Sequence, residues 1–467
     1  MTNTMHCLNE HWKQGLVLFT VLIIIAVYNA CRQKPAETIG QSKLPDTEVI
    51  HPEWSKNANI YEVNIRQYTP EGTLLAFVKH MPRLKEMGVD ILWLMPVNPI
   101  GELNRKGTLG SYYAIKDYMA VNPEFGTMED LQLLVGRAHE LGMKVILDWV
   151  ANHTAWDNPL VTDHPGWYKK DTAGKLVSPY DWTDVLQLDF EQMDLGEYMI
   201  GAMKFWVDTA DIDGFRCDVA GMVPTGFWIR ARRELDKVKP LLMLAEAEKP
   251  ELVEEAFDMD YGWELHHIMN KIAKGEKNAK DIICYFRKND SVYPGNTYRM
   301  YFTSNHDENS WQGTEFERMG EAATAMAALS AVLPGMPLIY SGQEAALDKR
   351  LRFFEKDTIS WDQNQEYADF YKVLLDLKKR NPALWNGNEG GLMELIPVCD
   401  STILAFTRQK NEHRILAIFN LSPEKKEFKF KGFAYPGNYT EVFTGDEKYI
   451  KERAPFSLEP WDFKIFE

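Results

Sequence analysis

Arg216 and Asp218 stand two residues apart in the apolar stretch Gly214-Phe215-Arg216-Cys217-Asp218-Val219-Ala220-Gly221. In a strand, alternate side chains share a face, so guanidinium and carboxylate project together while Phe215, Cys217 and Val219 project to the other side. An arginine does not lose its proton, so it would hold the neighbouring carboxylate ionised and oriented, as a nucleophile requires; a structural ion pair is the plain alternative. Three more stretches are built the same way, an apolar run closing on polar side chains. They are Val145-Ile146-Leu147-Asp148-Trp149-Val150-Ala151-Asn152-His153, Leu241-Leu242-Met243-Leu244-Ala245-Glu246-Ala247-Glu248 and Met300-Tyr301-Phe302-Thr303-Ser304-Asn305-His306-Asp307-Glu308-Asn309. In an α/β barrel, the carboxyl ends of the strands are where active sites assemble.

In order and type, Asp148-x-x-x-Asn152-His153, Gly-Phe-Arg216-x-Asp218, a strand closing on Glu246, and His306-Asp307 resemble the α-amylase family of glycoside hydrolases, glycoside hydrolase family 13. The segment Gly335-Met336-Pro337-Leu338-Ile339-Tyr340-Ser341-Gly342-Gln343-Glu344 is similar to the family's last barrel strand and following loop, and the resemblance runs from about Asn59 to the C-terminus. It implies an α/β fold: a (β/α)8 barrel with a short insert after the third strand and a C-terminal antiparallel β domain. It also implies Asp218 as nucleophile, Glu246 as acid/base and Asp307 as a third carboxylate that holds sugar hydroxyls and favours the protonated acid by like-charge repulsion. Retaining cleavage needs nucleophile and acid roughly 5–5.5 Å apart, which neighbouring strand ends allow. By the same resemblance Tyr113, His153, Arg216 and His306 bind the sugar, while Asp148 and Asn152 support the site. Two alternatives stay open at this level: strand alternation also puts Glu248 on the face of Glu246, and Tyr112 competes with Tyr113 as the stacking aromatic.

The implied activity is retaining hydrolysis of α-1,4-glucosidic bonds in starch-derived or maltodextrin-type α-glucans. Within the family, transglycosylation or disaccharide isomerisation would use the same intermediate. A non-catalytic carbohydrate-binding lipoprotein is the reading from another class, and the intact Asp218, Glu246 and Asp307 set argues against it. Two departures bear on the subsites: Ala220-Gly221-Met222 stands where many amylases carry a Lys-His pair, and Val185-Leu186-Gln187-Leu188-Asp189 lacks the usual proline. Calcium is the one cofactor the resemblance raises. Asn152 matches a family ligand, but the partner after the nucleophile is missing and the insert is short, so tightly bound calcium is expected not to be essential, with Asp157, Asp163, Asp171, Asp181 and Asp184 as the donors of an alternative site.

Helical spacing over 73–87, 127–141, 195–210, 227–237, 321–333 and 363–379 supplies the layer that would position these strands. The first strand is expected over 59–68, a second at Gly88-Val89-Asp90-Ile91-Leu92-Trp93-Leu94-Met95-Pro96, and a sixth at Phe257-Asp258-Met259-Asp260 within helical patterning over 251–270. The polar excursion at about 154–197 reads as the short insert, leaving the cleft open on its side. Beyond Pro382 the period changes to two, with turns such as Pro436-Gly437-Asn438. The expected division is 51–384 for the barrel and 385–467 for a β-sandwich domain.

The net charge of −16 argues against a nucleic-acid partner, since phosphate binding relies on Lys and Arg. Five widely spaced cysteines indicate neither a zinc site nor a disulfide framework. An apolar run over 16–27, short for a bilayer span, precedes Val27-Tyr28-Asn29-Ala30-Cys31, which is similar to a bacterial lipobox. That implies a signal peptide over 1–31, acylation of Cys31, a tether over 32–50 and a lipid-anchored enzyme in the bacterial cell envelope, at the periplasm or outer membrane. A plain secretory signal or an uncleaved anchor is the alternative.

Overall fold

The computed structural model describes residues 37–361 and 364–467. Eight parallel strands follow one another around a closed barrel: β1 (Ile60–Val63), β2 (Ile91–Leu94), β3 (Lys144–Trp149), β4 (Gly214–Cys217), β5 (Leu242–Ala245), β6 (Met259–Tyr261), β7 (Tyr298–Tyr301) and β8 (Met336–Tyr340), which pairs back with β1. Alternation sorts their side chains. Ile60, Trp93, Ile146, Leu244, Tyr261 and Leu338 belong to the cluster filling the barrel, whereas Tyr61, Leu92, Leu147, Phe215 and Cys217 belong to the cluster shared with the helices. Gly214 is required at the foot of β4, because a Cβ there would lie 2.0 Å from the Leu242 carbonyl oxygen of β5.

The helical layer includes α1 (Met128–Glu140), α2 (Met193–Ala210), α3 (Thr225–Leu235), α4 (Trp263–Ala273), α5 (Ala279–Asn289), α6 (Ala323–Val332) and α7 (Gln365–Arg380). Helix α1 begins with a reciprocal Thr127 and Asp130 capping box and buries Leu131, Leu134, Val135 and Ala138, the face its spacing indicates. Helix α6 is buried on nearly every side, which its small alanines permit, because it lies between the barrel and the C-terminal domain.

Three expectations shift. The first strand is shorter, ending at Val63 and followed by one helical turn, Ile65–Tyr68. The helix expected over 73–87 is two, Leu74–Val78 and Met81–Met87, with Pro82 in the first turn of the second, where its missing N–H is tolerated but continuation from the first is not. The sixth strand runs over Met259–Tyr261, with Asp258 before it bonded to both neighbours through its N–H to the Met243 carbonyl (3.0 Å) and its carbonyl to Tyr298 N–H (3.1 Å).

The C-terminal domain is antiparallel: β9 (Leu392–Leu395), β10 (Ile403–Lys410), β11 (His413–Asn420) and β12 (Phe463–Phe466) form one sheet. One face packs on the helices around α6 and α7, the other on two ribbons, Lys426–Lys429 with Pro455–Leu458 and Gly437–Thr440 with Glu447–Ile450. Arg408 of β10 locks the domain to the barrel by donating to the Val332 and Leu333 carbonyls at 3.1 and 2.9 Å, at the C-terminus of α6. The stretch read as a tether is bound to the fold from Glu37 on: Thr38–Ile39 adds a fifth strand beside β9, Ile39 is buried, and Asp46 bridges to Gly295. Among the described residues, no helix is long and apolar enough to cross a membrane. Cys31 and the apolar run before it lie outside the described residues.

Candidate active site

Arg216 is the hub. Its neighbour in register on β3 is Asp148, and Nη1 donates to Asp148 Oδ1 at 2.8 Å and to Asp218 Oδ1 at 3.1 Å. Nη2 pairs with Glu246 Oε2 at 2.9 Å, and Nε donates to the Tyr261 hydroxyl at 3.1 Å. One fully buried cation therefore ties together the carboxyl ends of β3, β4, β5 and β6. Burying a charge costs several kcal/mol on its own, and the surrounding carboxylates offset it. Because two nitrogens of one planar group touch Asp218 and Glu246, those carboxyls are held side by side.

Asp218 continues the β4 ladder through its N–H to the Trp149 carbonyl (2.9 Å), and then the chain breaks sharply. Val219 adopts φ 37° and ψ 43°, a left-handed conformation costing a β-branched residue about 1–3 kcal/mol. The kink aims the Val219 N–H at Glu246 Oε2, 2.7 Å away. Glu248 is not in this cluster: it pairs with Arg299 at 2.6 Å and accepts from Glu264 N–H at 2.8 Å. Burial pushes the carboxyls of both Asp218 and Glu246 upward, and Asp307 adds to the rise in each, while Arg216 opposes it. The pair therefore favours keeping a proton between them.

His306 lies on the other side of the cluster. Its Nδ1 is 2.5 Å from Glu62 Oε1, and its Nε2 is 2.8 Å from the Tyr113 hydroxyl and 3.3 Å from Asp307 Oδ2. The Tyr113 hydroxyl proton serves Asp148 Oδ2 (3.0 Å), so Tyr113 accepts from Nε2, and both ring nitrogens of His306 donate. Burial alone would push His306 down, but Asp307 and Glu62 outweigh it and hold it up at about 9. His153 is the opposite case: burial lowers it to about 4, leaving a neutral ring, with Asn152 Nδ2 3.2 Å from its Nδ1. Tyr113 stacks on His306, centroids 5.3 Å apart, and on Phe353 at 6.3 Å. Tyr112 instead is buried under the Arg66 guanidinium, 4.2 Å from its ring.

These groups open on a cleft of about 500 Å³ lined by Asp218, Glu246, Asp307, Tyr113, His153 and His306, with Arg216 and Asp148 beneath it. Its walls include residues that motif reading passed over: Ser111 and Lys106, Trp311, and the adjacent Phe353 and Phe354. A Phe pair inside the charged run Asp348-Lys349-Arg350-Leu351-Arg352-Phe353-Phe354-Glu355-Lys356-Asp357 was a usable signal, as was the acid of Tyr61-Glu62-Val63 in a strand otherwise apolar. The insert does not leave the cleft open, since Asp181, Trp182, Asp184 and Val185 form part of its wall.

The residues present fit a calcium ion poorly. The Gly221 carbonyl, just after the nucleophile, accepts from Lys249 Nζ at 2.8 Å, and Asp184 pairs with Lys106 Nζ at 3.1 Å. Asp157 is paired with Lys116 at 3.2 Å, and Asp171 caps its own turn by accepting from Ala173 and Lys175 N–H, each at 2.9 Å. Among the described residues, no three His, Cys, Asp or Glu side chains gather to hold a metal.

Known proteins resemble the chain in both its barrel and its C-terminal domain. The family described as "Alpha amylase, catalytic domain" matches residues 47–182 and 161–395, and "Maltogenic Amylase, C-terminal domain" matches 393–465. A noncanonic maltogenic α-amylase from Thermotoga neapolitana superimposes with a TM-score of 0.81 at 32% identity, covering 88% of this chain and 99% of that one. A maltogenic α-amylase from Bacillus acidopullulyticus is 26% identical over 85% of this chain and 70% of its own. An α-amylase from Haloarcula japonica is 28% identical over 71% of this chain, which spans 50% of that relative's length.

Proposed function

Because the chain belongs to the α-amylase family of glycoside hydrolases, we propose that it hydrolyses α-1,4-glucosidic bonds of maltodextrin-type α-glucans with retention of configuration. The observation that carries the reading is the shared grip of Arg216 on Asp148, Asp218 and Glu246 beside the Tyr113 platform. In the first step Asp218 attacks C1 of the bound sugar as the proton of the carboxyl pair passes from Glu246 to the glycosidic oxygen, so the C1–O bond breaks and the leaving glucan departs with a free hydroxyl. The leaving oxygen against Glu246 is what draws the shared proton there. In the second step Glu246, now a carboxylate, takes a proton from water, whose oxygen displaces Asp218 at C1 and yields the α anomer. The positive charge growing on the sugar ring in both steps is stabilised by Asp218 and Asp307, preorganised negative groups.

Around this pair, the neutral His153, whose Nδ1 accepts from Asn152 and whose Nε2 therefore carries the proton, would donate to a hydroxyl of the sugar stacked on Tyr113, with the protonated His306 turning its Nε2–H toward the same sugar. Incubation with maltoheptaose tests the reading: shorter maltodextrins, seen by NMR as the α anomer before mutarotation, support it. Initial β product would reject retention, and lengthened or rearranged sugars would assign the chain to transfer or isomerisation. For location we infer a lipid anchor at Cys31, supported by its lipobox-like context, with the barrel outside the cytoplasm.

A further inference from the structure

We propose that the amino-terminal end of the barrel is a lipid-facing surface: with Cys31 acylated, this end rests on the bilayer and the catalytic mouth points away from it. The inference rests on the anchor inferred at Cys31 and adds to it a surface and a direction. Glu37 pairs with Arg287 of α5 at 2.6 Å, and its carbonyl accepts from Leu395 N–H of β9 at 2.8 Å. From there the chain is wired along one end of the molecule. Gly40 lies against Pro334, two residues before β8, with Pro334 Cγ 2.9 Å from where a Cβ would stand. Lys43 N–H donates to the Asp290 carbonyl and Gly295 N–H to the Pro45 carbonyl, each at 2.7 Å, in the segment leading to β7. Thr47 Oγ1 donates to the Val253 carbonyl at 2.6 Å, and His51 Nδ1 is 2.8 Å from Asp258 Oδ1, both ahead of β6. Asn59 Nδ2 then reaches the Gly88 carbonyl at 2.9 Å, ahead of β2. Each of these barrel partners precedes its strand, so the chain runs beneath the barrel, at the end opposite Asp218, Glu246 and Asp307.

Length decides how far that end can stand from the lipid. Only Arg32-Gln33-Lys34-Pro35-Ala36 separate Cys31 from Glu37, and that stretch at full extension reaches about 20 Å. A globule of 467 residues is about 60 Å across. The link is therefore too short for the molecule to roll over, and the end beside Glu37 is the end that meets the bilayer.

The surface there suits that neighbour. Ile50, 84% exposed, is the most exposed large apolar side chain among the described residues. Its carbonyl accepts from Arg232 Nη2 at 3.1 Å, so the backbone is fixed while the side chain is turned outward. Leu44, next to the Lys43 bond to Asp290, and Val292 of the segment leading to β7 are exposed as well, as is Val238 of the turn leading into β5. Leu392, exposed at the start of β9, shares a depression of about 420 Å³ with Gly40, Gln41 and Ser42. One exposed apolar residue needs no explanation, but five at the end from which the chain leaves for Cys31 mark a surface that is covered. The short link delivers lipid to this face, and apolar side chains seated at the headgroup boundary add to the hold of an acyl anchor. The mouth, at the opposite end, is left open to glucan arriving from beyond the membrane.

The test uses the full-length acylated protein on vesicles of phosphatidylethanolamine and phosphatidylglycerol that carry a rhodamine headgroup lipid. A donor dye is placed either on the exposed Cys284 of α5, with Cys399→Ser, or beside the cleft by Tyr180→Cys, with Cys284→Ser and Cys399→Ser. Energy transfer to the lipid should be at least about twofold greater from Cys284, because the two sites lie toward opposite ends of a molecule about 60 Å across. Equal transfer, or more from position 180, would overturn the orientation. An environment-sensitive dye at Ile50→Cys, in the background lacking both exposed thiols, should shift to the blue on vesicle binding, and no shift would overturn the lipid-facing surface. The bound enzyme should keep the amylose-to-maltoheptaose rate ratio of the soluble Cys31→Ser form; loss of amylose cleavage alone would place the mouth against the lipid and overturn the proposal. Failure of the parent to bind vesicles would overturn the anchor and this inference with it, leaving the hydrolase reading untouched.

Discussion

Replacing Glu62 by Gln should change how the enzyme responds to alkali. Glu62 is fully buried in β1, and its Oε1 lies 2.5 Å from His306 Nδ1. Burial disfavours the charged ring, yet His306 is held at about 9 against an ordinary 6.5, a preference for the imidazolium of about 3 kcal/mol. Two carboxylates supply it: Asp307 at 3.3 Å, whose side chain is 38% exposed and so partly screened, and Glu62, which is buried and unscreened. Arg216 works against both. Gln keeps the shape and an acceptor for Nδ1 but removes the buried charge, so His306 should titrate at least about one pH unit lower. If the charged ring is the form that binds sugar, the alkaline limb of kcat/KM should move from near 9 to 8 or below, and activity at pH 9 should fall at least about fivefold relative to the parent. The stability contribution has the same sense: the folded value lies above the unfolded 6.5, so it is complete below pH 6.5 and is lost as pH rises through 9. The assay is kcat/KM on maltoheptaose from about pH 5 to pH 10 for both proteins, with the His306 ring nitrogens followed by NMR. An alkaline limb within about 0.3 of the parent's would refute the reasoning.

Asp218→Asn should lower turnover by about three orders of magnitude or more, at least about 4 kcal/mol of barrier, with the circular dichroism of the fold unchanged; near-normal activity would remove Asp218 as nucleophile. Dialysis against EDTA should leave activity and thermal midpoint where they were, because lysines engage the Gly221 carbonyl and Asp184; a large loss restored by calcium and not by magnesium would show otherwise. Cys31→Ser should move the protein from the membrane fraction to the soluble one at unchanged specific activity, and unaltered fractionation with no fatty-acid labelling of the parent would count against the anchor.

The barrel and the chemistry at its mouth were legible in the sequence because both rest on local pattern. An apolar run that closes on Asp148, Arg216 with Asp218, Glu246 or His306 with Asp307 states its own strand and its own polar end, and order along the chain is order around the barrel. Alternation failed where the strand did. Glu248 shares parity with Glu246, but β5 stops at Ala245 and the chain turns at once, Ala247 N–H bonding to the Ala245 carbonyl, so only Glu246 meets Arg216. Tyr112 and Tyr113 are adjacent and chemically alike, and contacts with Arg66 and His306, 46 or more positions from one or 193 from the other, decide which of them faces the cleft. The Glu62 partner of His306 lies 244 positions away, and Phe354 meets Leu109 only because β8 closes on β1 and brings the loop after β8 near the loop after β2. Periodicity reports which face a side chain takes within its own element. Which loops meet over the mouth is set by barrel closure, a pairing between distant segments that no local pattern records.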